Sequence, residues 1–273
     1  MPRLFHISDV HFGCEDVQAL AWVKQRIEAE KPDVVALTGD LTMRARHREF
    51  RAACAWIQSL AAPVTVEVGN HDLPYFNLIE RFVAPYHRIR GIERLVEREI
   101  ELPGVALVPL KTTARAQWRL NWSLGYVGPR ALAKTLAAID ELPEEQTVLV
   151  TAHHPLVEAN TRGKALTKGG ERALAALAGA GVAAVLSGHV HDPFDLVKET
   201  ANGPIRMIGA GTLSLRIRST PPSFNELTIE DGAVRVTVRT FGEAIPTPEM
   251  QVSAVPQNAD QRPGEPVAPV AAN

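Results

Sequence analysis

The sequence predicts an α/β protein in which two β-sheets pack together with helices outside, and two observations carry that prediction. Over the first two thirds of the chain, short strand-like apolar runs alternate with helix-period runs, the pattern of a sheet with a parallel core. Past residue 192 the helical period stops. "FDLVKETANGPIRMIGAG" is two extended runs about an Asn-Gly turn, and "FNELTIEDGAVRVTVRTF" is two about an Asp-Gly turn, the strongest short-range signals for hairpins.

Taken in order, Leu4 to Ser8 reads as a strand. Asp16 to Glu30 reads as a helix, with Leu20, Val23 and Ile27 spaced along one face. Pro32 separates it from Val34-Val35-Ala36-Leu37, a continuous apolar run that suits a strand buried on both faces. A second amphipathic helix covers Ala45 to Leu60, with Phe50, Cys54 and Ile57 on one side, and Val64 to Val68 follows as a strand. Residues 73–130 are less regular, with a helix near Phe76 to Phe82, a strand over Val105 to Leu110, and a loop holding Trp118 and Trp122. Alternation then returns as helix 130–140, strand Thr147 to Thr151, helix 170–179 and strand Val182 to Leu186. The domain is placed at residues 1–245. Residues 246–273, with Pro248, Pro256, Pro263, Pro266 and Pro269 and no apolar period, read as a disordered tail.

Composition narrows the setting. A chain of 273 residues with 45% hydrophobic and 22% charged residues suits one sizeable globular domain. A formal net charge of −2 argues against wrapping nucleic acid by bulk electrostatics. Two cysteines, Cys14 and Cys54, make no disulfide framework, and both read as core thiols in a reducing compartment. The N-terminus "MPRLFHISDVHFG" enters a strand directly, unlike a signal peptide. The most apolar stretch, Ala173 to Leu186, is too short to span a bilayer and is broken by Gly179 and Gly181. The expectation is a cytoplasmic protein without a membrane partner.

The polar residues collect just after the strands. Asp9-Val10-His11 follows the first, Thr38-Gly39-Asp40 the second, Gly69-Asn70-His71-Asp72 the third, His153-His154 a later one, and Ser187-Gly188-His189-Val190-His191 the last of the alternating half. Ligands of open α/β sheets bind outside the carboxyl ends of the strands, so five strand ends deliver carboxylates, an amide and imidazoles to one edge. Six of the nine histidines lie in these segments. His6, His47 and His87 read instead as structural or solvated. Asp, His and Asn donors without a thiolate suit Mn, Fe, Zn, Co or Ni. Seven candidate ligands exceed the needs of one ion, which points to two metals sharing a carboxylate. Glycine before Asp40, Asn70 and His189 is expected to let the backbone turn sharply and come close to the ions.

The blocks "DVH", "GD", "GNHD", "HH" and "GHVH", in this order, resemble the calcineurin-like metallophosphoesterases over about residues 1–240. The longer "GDLT" and "GNHDLPYFN" are most similar to the bacterial class III cyclic-nucleotide phosphodiesterase branch. The resemblance implies a four-layer α/β/β/α sandwich of two mixed sheets flanked by helices. It implies that Asp9, His11 and His191 bind one metal, that Asp40 bridges, and that Asn70, His153 and His189 complete the second. His153 rather than His154 is the ligand, because the family pattern sets it two residues before Pro155; His154 then faces the substrate or supports the ligands. His71 would hold a phosphoryl oxygen or protonate the leaving alkoxide, oriented by Asp72.

The implied activity is hydrolysis of a small phosphodiester, a 3′,5′-cyclic nucleotide among the candidates, by a metal-bridging hydroxide. Two divalent ions less two carboxylates and one hydroxide leave about one positive charge to attract an anionic diester. A nuclease and a nucleotide pyrophosphatase are competing readings of the same site. "RARHREFR" and "KTTARAQWRL" supply arginines and an aromatic for a nucleic-acid backbone, but a solvated helix face and a surface loop are preferred. Arg44 and Arg46 are candidates for contacting a substrate phosphate, and "SLRIRSTPPSFNEL" adds Arg216 or Arg218 to a pocket wall. A non-catalytic scaffold is the reading from another class. It is disfavoured because every expected ligand position is filled.

Overall fold

A computed structural model describes residues 1–74, 77–96, 100, 102–114, 121, 123–164 and 166–243. The loop positions Trp118 and Trp122, the second half of "KTTARAQWRL", the start of the helix expected at Phe76, and the boundary and tail beyond residue 243 lie outside these residues.

Two five-stranded mixed sheets form the body. The first runs β10(Ala233–Thr240)-β9(Ser223–Glu230)-β1(Arg3–Ile7)-β2(Val34–Leu37)-β3(Val64–Val66). The second runs β4(Val105–Pro109)-β5(Thr147–Thr151)-β6(Ala184–Ser187)-β8(Gly203–Gly209)-β7(Phe194–Thr200). β1, β2 and β3 are parallel, as are β4, β5, β6 and β8. The hairpin strands add the antiparallel pairs, β9 against β1 and β10, and β7 against β8.

The parallel strands β2 and β5 are apolar on both faces because both faces are covered. In β5, Leu149 points into a core shared by the two sheets, with Leu4, Val34, Ile208 and Leu227. Its neighbours Val148 and Val150 face the outer core, against Leu132 and Ile139 of α5(Pro129–Asp140) and Leu174 and Leu177 of α6(Gly170–Gly179). On the first sheet, Phe5, Ile7, Val35 and Leu37 meet Val23 and Ile27 of α1(Val17–Glu30), Phe50 and Ile57 of α2(His47–Gln58), and Ile89 and Ile92 of α4(His87–Val96). The layer order is therefore helices, sheet, sheet, helices. Burying each large aliphatic or Phe side chain contributes about 1.5–3 kcal/mol.

The structure departs from the sequence expectation at several places, and β3 for one ends at Val66 rather than Val68. Helix α4 was not expected; it follows the short α3(Leu78–Val83), and Ile89 and Ile92 supply its buried face. β6 starts at Ala184, two residues later than expected, because the Val182 N–H is spent on Leu177 O at the end of α6. The two hairpins also use different turns. At Asp231-Gly232 both residues have positive φ (48° and 78°), as a primed two-residue turn requires. In the first hairpin the expected Asn-Gly turn is shifted by one residue: Ala201-Asn202 connects the strands, and Gly203 (φ 110°) opens β8 opposite Thr200. Finally, Cys14 and Cys54 are free and half-buried rather than core thiols.

Candidate metal centre

The C-terminal edges of both sheets meet at one cluster. β1 leads to Asp9 and His11, β2 to Asp40, β3 to the 3₁₀ turn Asn70–Asp72, β5 to His153, and β6 to His189 and His191. The backbone turns sharply there, but the ligand positions do much of the turning. Asp9, His11, Asp40, His189 and His191 have φ of 56°, 46°, 54°, 70° and 62°, a left-handed conformation that costs about 1–3 kcal/mol in a non-glycine residue. Gly39 is also left-handed (φ 95°), whereas Gly69 and Gly188 are not. Their role is space. A Cβ on Gly69 would lie 2.0 Å from Asp40 Oδ1, and one on Gly188 would lie 1.7 Å from Ser8 Oγ and 2.6 Å from Asp9 Oδ2.

Backbone carbonyls fix the imidazoles. Nδ1–H of His153 donates to Thr38 O (2.8 Å), that of His191 to Arg216 O (2.7 Å) and that of His11 to Thr42 O (3.3 Å). In the neutral rings Nε2 is then a bare lone pair, and all three point into the cleft. Nε2 of His11 and Nε2 of His191 lie 3.2 Å apart, an arrangement that calls for something electropositive between them. Asp9 Oδ1 stands 3.1 Å from His191 Nε2 and 3.6 Å from His11 Nε2. It is buried without a hydrogen-bond partner, although its partner oxygen Oδ2 accepts the His189 N–H at 2.8 Å.

A second group faces the first. Asn70 Oδ1 lies 3.1 Å from His153 Nε2 and 3.0 Å from His189 Nδ1. Asp40 spans the two groups, with Oδ1 3.4 Å from His153 Nε2 and Oδ2 3.7 Å from His11 Nε2. The donor atoms of Asp9, His11 and His191 all lie within 4.8 Å of one another, as do those of Asp9, Asp40 and His153. Converging lone pairs with an orphaned carboxylate oxygen are what a metal pair would satisfy, so the residues present fit such ions.

Without metal, protons do part of this work. Burial opposes ionisation of Asp9, but His191 and His11 hold it well below the usual carboxylate range. Burial likewise opposes Asp40, and His153 and His71 outweigh it, so its pKa is lowered. Burial pushes His153 down, yet Asp40 lifts it to about 9. His189 goes the other way, to about 3, through burial and then the His153 charge.

The remaining predicted residues divide. His71 lies at the cluster: its Nδ1–H donates to Met43 O (2.7 Å) and its backbone N–H to Asp40 Oδ1 (2.8 Å). Asp72 does not orient it, which corrects the sequence expectation. The Asp72 carboxylate instead accepts from the backbone N–H of Leu41, Thr42 and Gly69 (3.2, 2.9 and 3.0 Å) and from the Thr42 hydroxyl (3.0 Å). It staples the β2 and β3 ends together. Burial and then Asp40 push its pKa up to about 6.

His154 is also corrected as a substrate contact. It is 1% exposed, with Nδ1 at Thr112 Oγ1 (2.9 Å) and Nε2–H donating to Ser123 O (2.8 Å), so it packs behind His153 and His189. The Arg44 and Arg46 side chains are exposed, and no hydrogen bond of the cluster among the described residues involves Arg44. Arg218 is exposed as well. Arg216 reaches the centre, its Nη1 lying 3.1 Å from both His11 Nε2 and His71 Nε2.

Sequence reasoning reached the loop after β8 only through Arg216 and missed the end of the strand itself, residues 209–212. Its loop returns to the cluster through Thr212, whose hydroxyl donates to Asp9 O at 2.7 Å. The small-residue run Gly209-Ala210-Gly211 directly after an apolar strand was the available signal.

Residues 2–193 match the family model described as calcineurin-like phosphoesterase. No curated protein sequence matches the chain. Among solved structures, a dimetal phosphatase from Danio rerio superposes with a TM-score of 0.65 at 14% identity, over 87% of this chain and 95% of that one. The purple acid phosphatase PPD1 from yellow lupin (Lupinus luteus) gives 0.61 at 16% identity over 88% of this chain, which spans 51% of that longer protein. GAP50, described as the anchor in the inner membrane complex of Plasmodium, gives 0.53 at 14% identity over 89% of this chain and 86% of that one. At such identities these likenesses speak for the fold.

Proposed function

The chain belongs to the calcineurin-like phosphoesterase family, a class of metal-dependent phosphoester hydrolases, and from that premise we propose that its own substrate is a small phosphodiester. The observation that carries the metal-dependent part is Asp40 set between two groups of bare imidazole nitrogens, each with its own further oxygen donor. The diester part is supported by what stands over them. Arg216 brings one guanidinium to the cluster, and His71 brings one imidazole. A diester carries one phosphoryl charge and expels an alkoxide, which a single cation and a single proton donor can serve.

When bound, two such ions supply an activated water and stabilise charge on the phosphoryl oxygens. The chain's own residues do the rest. Nδ1–H of His71 is committed to Met43 O, so Nε2 is the atom that faces the leaving oxygen, and it passes a proton there only from the ring protonated on both nitrogens. Asp72 sets the height of this turn by tying Gly69 to Leu41 and Thr42. Oxygen and nitrogen donors without a thiolate support Mn, Fe or Zn as the pair. Two free thiols, Cys14 and Cys54, support a cytoplasmic setting. Among the described residues no helix is long and apolar enough to cross a membrane.

The test is hydrolysis of bis-p-nitrophenyl phosphate against the monoester by metal-stripped protein reloaded with Mn²⁺, with Asn70→Ala as control. We expect metal-dependent diester cleavage that is lost in the variant, after which cyclic nucleotides, nucleic acids and nucleotide pyrophosphates separate the finer readings. A clear preference for the monoester would overturn the diester assignment. No turnover of either ester with Mn, Fe, Zn or Co would leave a narrow specificity or a scaffold.

A further inference from the structure

The β8–β9 connection, residues 210–222, is gripped by two consecutive residues of the β6 end. His191, a candidate ligand, donates Nδ1–H to Arg216 O at 2.7 Å. Asp192, 4% exposed, accepts four hydrogen bonds from residues three and four positions further along the same loop. Its Oδ1 takes the Ser219 N–H (2.8 Å), the Thr220 N–H (3.2 Å) and the Thr220 hydroxyl (3.3 Å), and its Oδ2 takes the Ser219 hydroxyl (3.1 Å). The other end of the loop is tied to the β1–α1 connection, through Thr212 Oγ1 to Asp9 O and the Leu215 N–H to Cys14 O at 3.0 Å. Between these anchors stands Arg216, flanked by the exposed Leu215 and Ile217. Its guanidinium lies 3.1 Å from two imidazoles of the centre.

We propose that Asp192 is a positioning residue: by clamping Ser219 and Thr220 it holds Arg216 over the cleft, where the guanidinium binds the phosphoryl group. This rests on the phosphoester reading of the site. The physical need for a clamp is plain. An arginine side chain has about 2 kcal/mol of rotamer freedom to lose, and a loop whose flanking side chains point to water has little packing to hold it. A buried carboxylate that accepts two backbone N–H groups and two hydroxyls replaces that packing with directional bonds. The ring of His191, bound to the carbonyl of Arg216, joins the same unit, so ligand and guanidinium are set by one piece of backbone. The Asp192 carboxylate makes none of these bonds to a candidate ligand's side chain, so it acts through the loop.

The experiment uses the Mn²⁺-loaded full chain and reads three quantities: the dissociation constant of inorganic phosphate by calorimetry, kcat and KM on bis-p-nitrophenyl phosphate, and bound metal per chain. Asp192→Ala should weaken phosphate binding and lower kcat/KM on the order of 10- to 100-fold, with metal content unchanged. Arg216→Ala should do the same. The double variant should be no worse than Arg216→Ala alone, because the two act as one unit. Asp192→Asn keeps an acceptor for both backbone N–H groups and should restore affinity to within about threefold of the parent, since the bonds rather than the charge do the holding. If Asp192→Ala does not fold, Asp192→Ser, which keeps one acceptor, takes its place in the same cycle.

Multiplicative losses in the double variant would overturn the proposal, and so would loss of metal in Asp192→Ala but not in Arg216→Ala. A parent protein that binds no phosphate would overturn it as well. A parent that binds phosphate but cleaves neither ester would refute the proposed activity instead, with the coupling still read in the phosphate affinities.

Discussion

The two edges of the sandwich use the same left-handed backbone for different purposes. At the edge away from the cluster it falls largely on glycines, with Lys31 and Asp231 as non-glycine cases; at Gly104, Gly181, Gly203 and Gly232 an added Cβ would have nothing within 4 Å. These glycines are there for conformation, and the surrounding space is empty. At the cluster edge the left-handed residues include two aspartates and three histidines, while Gly69 and Gly188 have ordinary φ and are hemmed in at about 2 Å. Strain is carried by the residues whose side chains the site needs, and glycine is placed where backbone must pass them closely. The lesson is that a glycine in a motif is not by itself a sign of an unusual φ.

This contrast can be broken most strongly at its centre. Asp40→Asn, reloaded with Mn²⁺, should lose about 10³-fold or more in kcat on a phosphoester, since it removes the anionic donor between the two groups. A steady-state assay with metal analysis checks it, and retention of activity would mean that Asp40 is not shared. Next in size, Gly69→Ala should cost about 3 kcal/mol, because its Cβ meets the Asp40 side chain and backbone. Thermal unfolding would show the loss, and activity should fall with it.

Two buried histidines sharpen the comparison through pH. Inside β1, His6 bonds Thr38 Oγ1 (3.0 Å) and accepts from Asn225 Nδ2 (3.4 Å), and burial lowers its pKa from 6.5 to about 3. It folds neutral, so below pH 6.5 the unfolded chain gains a proton the fold refuses. Stability should be lost as pH falls, by about 2 kcal/mol between pH 6.5 and 5. Urea midpoints against pH would show this slope, and His6→Gln should flatten it.

At the cluster edge His153 is raised to about 9 in the absence of metal, and the sign reverses. Its contribution is present below pH 6.5 and fades as pH rises through about 9. Metal must displace that proton, so metal affinity should climb over the same range. Titration of stripped protein with Mn²⁺ at pH 6.5 and 8.5 would show it. The smallest effect belongs to the far edge. Gly232→Ala should cost about 1 kcal/mol and leave kcat unchanged.

Much of this was readable in the residues because it is local. β2, β5 and α6 fall where apolar runs and their period place them, and each metal motif follows a strand directly. What escaped was held by backbone or by distance along the chain. Asp72 is next to His71 in sequence, yet in a 3₁₀ turn the two side chains diverge, and the carbonyl of Met43, invisible to residue-type reasoning, takes the orienting role. His153 and His154 are alike as letters; the place of His153 two residues before Pro155 picked it as the ligand, but that the His154 ring is spent on Thr112 and Ser123 could not be read. Helix α4 was obscured by the arginines of "HRIRGIERLV", since among its described side chains only Ile89 and Ile92 are buried hydrophobics.

The register of the first sheet also governs when this protein can be finished. β1 sits in the middle, with Leu4 through Ile7 paired on one side to Val34 through Leu37 of β2, and Arg3 through His6 paired on the other to Thr228 through Asn225 of β9. Half of its ladder is therefore unmade until residues more than two hundred positions later have been synthesised. At roughly 5–20 residues per second that is on the order of ten to fifty seconds. Throughout that interval the strand that carries Asp9 and His11 has an open edge, a template for mispairing. The β9–β10 hairpin is thus the closing step for this sheet.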